Sequence, residues 1–389
     1  LDAVSREFAR EHSDRLWKQL IIAPAAGDSA VSTRTDILSV ALFALAAALA
    51  IKAPALFGID ITQADAFLAR NLSFFVLPLL AGYFAWKRGA GVIPWGWLAM
   101  AFAAGALFAN VYPMDADSDT LTLTAMHLPI ALWLAVGVAY AGGHWFDGGR
   151  RMDFVRFSGE LFIYYVLIAL GGGVLTAFTL MIFAAIGMDV LWFAQSWLLP
   201  CGAMAAVIVC AWLVEAKQSV IENMAPVLTR LFTPLFTVVL LVFLVTLVWT
   251  GSPIDVEREV LIAFDLLLTL VVGLVLYAAS ARDPQAPPDV FDALQFVLIV
   301  TALVVDAVAL MAIAGRISEW GFTPNRTAAL GENLVLLASL AGSAWLYARF
   351  LWGRGSFAAL ERWQVAYLPV YSAWAALVVI AFPPAFGYR

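Results

Sequence analysis

Six ionisable side chains interrupt otherwise apolar stretches of this chain: Lys52, His127, Asp265, Asp306, Arg316 and Glu332. A charge in hydrocarbon costs at least about 2.5 to 3.5 kcal/mol, so each needs a partner or water. Carboxylates and an imidazole in such surroundings suit proton transfer or a polar path for an ion or small ligand, whereas an arginine suits pairing with an acid. The densest group falls in Asp306 to Glu332, DAVALMAIAGRISEWGFTPNRTAALGE. Gly321 is expected to supply a left-handed C′ residue that closes one helix. Thr323 is the expected N-cap of the next, with Pro324 at its first position, where a missing N–H costs nothing. Two antiparallel helices joined by Gly321 to Thr323 follow. At about 1.5 Å per residue, Arg316 sits roughly 6 Å before the end of the first helix and Glu332 roughly 12 Å past the start of the second. A long arginine side chain spans that difference, so an Arg316–Glu332 pair is expected, with Asp306 one to two turns deeper.

The elements that must position these groups are membrane helices. Hydrophobic residues make up 63% of the 389 and charged residues 13%, which excludes a soluble globule. The expected fold is all-α, a polytopic integral membrane bundle of about eleven spans. They run near 37–57, 72–86, 92–113, 120–142, 161–187, 190–214, 231–250 and 260–281, then the hairpin pair from Val290 through Trp320 and onward from Pro324, then 363–382. Each approaches the roughly 20 residues needed to cross the hydrocarbon core. No signal-peptide pattern opens the sequence, so the first hydrophobic segment is expected to be retained. Residues 1–36 carry Arg6, Arg10, Arg15, Lys18 and Arg34 beside a weak apolar stripe of Val4, Phe8, Leu16 and Leu20. They form an expected cytosolic amphipathic segment ahead of a single transmembrane domain, 37–389.

Orientation follows from the basic residues, because cytoplasmic loops are enriched in them. With the N-terminus inside, sixteen of the 22 Lys and Arg fall on the cytoplasmic side, among them Lys87, Arg88, Arg150, Arg151 and Arg156. The six ionisable groups above then occupy the outer halves of their spans, while Glu160 and Glu215 lie near the inner face. One outward-facing polar pocket near the hairpin accounts for all six. The plainer account treats them separately: Lys52 snorkels to the interface, Asp265 sits near its helix start, and Arg316 with Glu332 locks the hairpin.

Other patterns carry less. Asp115, Asp117 and Asp119 imitate the start of a calcium loop, but Thr120 replaces the turn glycine and Met126 the bidentate glutamate. Three histidines without a pair at ligand spacing argue against a metal, and no cofactor motif is present. Cys201 and Cys210, nine residues apart on one helix, cannot bridge each other. Gly171, Gly172 and Gly173 suit either close helix packing or an unwound segment. The net charge of −6 and the lack of a basic cluster exclude nucleic acid.

The stretch Arg316-Ile-Ser-Glu-Trp-Gly-Phe-Thr-Pro-Asn-Arg326 resembles the signature of the bacterial membrane proteins grouped as domain of unknown function 4153, with Trp320 where that pattern has Tyr. The resemblance implies a multi-pass protein of the bacterial inner membrane, carries no activity, and singles out Arg316, Gly321, Thr323, Asn325 and Arg326. The expected function is transport or small-ligand binding through the outward pocket, using Asp306, Arg316, Glu332, Asp265 and His127. The partners implied are the lipid bilayer, a small ligand or protons, and a membrane protein partner. The rivals are a non-transporting scaffold or accessory subunit, and an enzyme acting on a lipid-linked substrate with Asp265, Asp306 or His127 as base.

Overall fold

The computed structural model describes residues 26–216, 224–250 and 258–389. The expected N-terminal amphipathic segment therefore lies, through residue 25, outside the described residues. Those described form eleven long helices, one short 3-10 helix (Ala53–Phe57) and no strand: α1 (Ala26–Ala50), α2 (Asp65–Lys87), α3 (Val92–Val111), α4 (Asp119–Tyr140), α5 (Gly148–Ala185), α6 (Leu191–Ala216), α7 (Met224–Thr250), α8 (Arg258–Ser280), α9 (Val290–Trp320), α10 (Pro324–Leu351) and α11 (Phe357–Ala385). Ten include a stretch long and apolar enough to cross a membrane, and α8 carries a shorter apolar stretch, Asp265–Ser280. The chain is a polytopic helical membrane bundle.

Helix ends follow local chemistry. Ser118 caps α4 by accepting from Leu121 N, and Asp147 caps α5 by accepting from Gly149 N. With no breaker after that cap, α5 runs for 38 residues, beginning well before the expected start of its span. Asp289 and Asp292 build a reciprocal capping box at the start of α9. A π turn over Ala194–Leu198 precedes Pro200 in α6, a common accommodation where a proline cannot complete the hydrogen-bond ladder. Gly171, Gly172 and Gly173 stay helical with open space around each, so they serve neither close packing nor unwinding among the described residues.

Two apolar cores lie side by side. One joins α1 to α6 around Leu80, Phe84, Leu132, Tyr140 and Phe157. The other joins α7 to α11 around Leu268, Leu298, Ala302, Leu336 and Tyr347. The seam between them is α4 on α11, where Ser372 Oγ donates to Ala131 O at 3.0 Å and Leu123, Ala328, Val378 and Phe382 form a smaller cluster. On α10, small residues set the approach of α11, since a Cβ at Gly331 would overlap the Trp374 ring and one at Gly342 the Trp363 ring.

Candidate functional site

The hairpin forms where expected. Trp320 ends α9, Pro324 begins α10, and three residues connect them. Thr323 caps α10, its hydroxyl accepting from Arg326 N at 3.3 Å. Gly321 departs from the expected left-handed C′ geometry: its φ of 74° is joined to a ψ of −179°, a backbone region open to glycine almost alone. Arg326 folds back over the turn, its Nη1 donating to Trp320 O at 3.1 Å and Gly321 O at 3.0 Å, which satisfies carbonyls left over at the end of α9. Asn325 lies half-buried in the first turn of α10. This motif builds the turn.

The expected Arg316–Glu332 pair does not form. Among the ion pairs of the described residues none joins these two. Glu332 turns instead to α8, where its Oε1 accepts from the Thr269 hydroxyl at 3.2 Å. One residue on, Asn333 Nδ2 donates to Asp265 Oδ1 at 2.8 Å and to Ala329 O at 2.8 Å. Asp265 and Thr269 are one turn apart on α8, and Glu332 and Asn333 are neighbours on α10, so two adjacent rungs tie these helices together.

Asp306 completes the group from α9. Among the described residues its charged neighbours are Asp265 and Glu332, and α9 brings it close because Ala302, Ala309 and Ala312 on its buried face admit close packing. Asp306 is 0% exposed, and neither carboxylate oxygen has a hydrogen-bond partner. Asn333, also 0% exposed, has an unpartnered Oδ1 beside the same group. Burial is graded outward: Asp265 and Glu332 are half-buried and Thr269 is exposed. Three acids from three helices thus lie near one another, and the most buried side chains of the group, Asp306 and Asn333, carry acceptors without a donor.

Of the five expected site residues, Asp265, Asp306 and Glu332 come together. His127 is buried on α4, its Nδ1 bonded to Leu123 O of its own helix at 2.8 Å, and no interaction among the described residues joins it to the acids. Lys52 lies apart from the acids, with Nζ donating to Ser196 O at 2.6 Å and lying over the Trp197 ring. Sequence reasoning missed Asn333 and Thr269, although Thr269 stands at i+4 from Asp265 and Asn333 adjoins Glu332. It also missed Arg282, which grips Asp292 with Nε at 2.7 Å and Nη2 at 2.8 Å between the rings of Phe350 and Phe357. No three His, Cys, Asp or Glu side chains among the described residues gather as a metal ion requires. Three cavities of about 250 to 480 Å³ among the described residues lie away from Asp306. No family model, curated protein or solved structure matches the chain.

Proposed function

We propose that this is a transport-type protein of the bacterial inner membrane whose working cycle is coupled to protons, with Asp265, Asp306 and Glu332 as the proton-binding cluster. The observation that carries the reading is Asp306: fully buried, with no donor on either carboxylate oxygen and two further acids beside it. A lone charge there is costly, and a second and third charge repel it. Bound protons supply the missing donors, and their release on a movement of α8 or α10 would reverse that balance. Ionisable groups inside membrane spans mark proton relays in pumps and transporters.

The test is Asp306→Asn, which keeps size and hydrogen bonding and removes titration. Tryptophan fluorescence of the protein in proteoliposomes should change with pH, and the variant should fold but lose that change. Superimposable pH curves for the two proteins overturn the coupling.

A second reading, a scaffold or accessory subunit, is favoured by the ion pairs that pin helix ends. Glu215 is held by Lys87 at 2.6 Å and Arg88 at 2.7 Å, and Asp292 by Arg282. A scaffold needs these pairs and has no use for Asp306, so the same measurement separates the two readings.

A further inference from the structure

A second polar site lies at the other end of the bundle. Asp265 and Ser280 stand 15 residues apart on α8, about 22 Å along the axis, and Ser280 adjoins a cavity of about 470 Å³. The cavity opens between the C-terminal ends of α2, α4 and α6 and the first four turns of α5. Three guanidiniums line it, and the protein anchors each. Arg88 Nη2 donates to Glu215 Oε1 at 2.7 Å while the Tyr140 ring lies 4.7 Å from its guanidinium. Arg150 Nη1 donates to Ala141 O at 3.0 Å. Arg156 Nε donates to Ser280 O at 2.9 Å, and its Nη2 donates to the same oxygen.

A guanidinium carries five N–H donors, so each keeps donors beyond these bonds, on a side chain whose position is already fixed. Such forks suit a phosphate. Asp153, an exposed carboxylate, lines the same cavity, whereas Glu215 is already held by Lys87 and Arg88. A bare anion would satisfy the guanidiniums and be repelled by Asp153. A ligand that joins a phosphate to an ammonium satisfies both.

We propose that this cavity binds a phosphoethanolamine group. The described residues that line it belong to helix ends, the level of lipid head groups, so the group arrives either on a membrane lipid or as a free phosphate ester. The site is independent of the acidic cluster.

Native mass spectrometry of the delipidated full chain in detergent tests this, with phosphatidylethanolamine, phosphatidylglycerol, phosphatidylcholine and soluble O-phosphoethanolamine as probes. Phosphatidylethanolamine should bind in preference to the other two lipids, and O-phosphoethanolamine should displace it. Binding of O-phosphoethanolamine without retained lipid would support the site with a soluble ligand. Arg150→Gln and Asp153→Asn, each checked for unchanged elution and tryptophan emission, should weaken binding about tenfold, the loss of one charge-assisted bond. Equal retention of phosphatidylglycerol, variants that bind like wild type, or no binding by any probe would overturn the proposal.

Discussion

At Asn333 one neutral side chain carries one of the two polar rungs between α8 and α10. Its amide donates to Asp265 and to the Ala329 carbonyl, and its fully buried position leaves no water to replace it. Asn333→Ala should therefore cost about 1 to 3 kcal/mol, the penalty of leaving buried acceptors without a donor. Asn333→Asp should cost more, because it adds another acid to a group already rich in them. Thermal unfolding in detergent checks both, and a variant order with Ala worse than Asp would show that the amide donor is not what holds this rung. Asp306→Asn should behave oppositely in the same assay: its new N–H group gives the cluster a donor, so stability should hold or rise. Loss of proton response with intact stability is the pattern that separates a working carboxyl from a packing one.

Helix pairs show why part of the site was legible in the sequence and part was not. Gly-x-Thr-Pro fixes where α9 stops and α10 starts, and the turn formed there with three connecting residues. Counting residues also gave the depth of Arg316 and Glu332 correctly along their helices. Rotation about each axis was the missing quantity: α10 is seated against both α9 and α11, and in that seat Glu332 points to Thr269 on α8. Gly331 and Gly342 are the α11 side of that seat, each receiving an indole ring where a Cβ would sit. Gly331→Ala should destabilise the protein by about 1 to 3 kcal/mol through overpacking. Trp374→Phe removes the overlapping ring atoms, and Trp374 Nε1 makes no hydrogen bond that would be lost. The double variant should then be less destabilised than the sum of the single ones, and strict additivity in denaturation would show that the two residues do not set this contact. Gly321→Ala should cost about 1 to 3 kcal/mol for a different reason, the backbone region that its φ and ψ occupy.

Over the whole molecule, composition and the spacing of apolar runs were enough for the helical membrane class and nearly all helix positions, because a span needs only length and apolarity. The division into two cores and the α4–α11 seam depend on long-range contacts between uniformly apolar faces, and such faces carry no pattern that names a partner. Sidedness sits between these cases. The basic helix ends do meet: Lys87 and Arg88 at the end of α2 hold Glu215 at the end of α6, Arg156 near the start of α5 reaches Ser280 at the end of α8, and Arg151 reaches Val365 near the start of α11. At the opposite end Arg70 binds the Ala109 and Tyr112 carbonyls, and Thr120 N donates to Arg389 O. Helix ends therefore alternate between two sides as the charge count expects, and the arginine-rich side should face the cytosol. Phe146, in the α4–α5 connection, and Phe322, in the hairpin turn, are both well exposed and lie at these opposite ends. In a background with Cys201→Ser and Cys210→Ser, Phe322→Cys in intact cells should react with a membrane-impermeant maleimide, and Phe146→Cys only after the membrane is opened. The reverse result would invert the orientation, placing the acidic cluster toward the cytosol and the phosphoethanolamine site toward the outside. Labelling of both from one side would contradict the alternation itself.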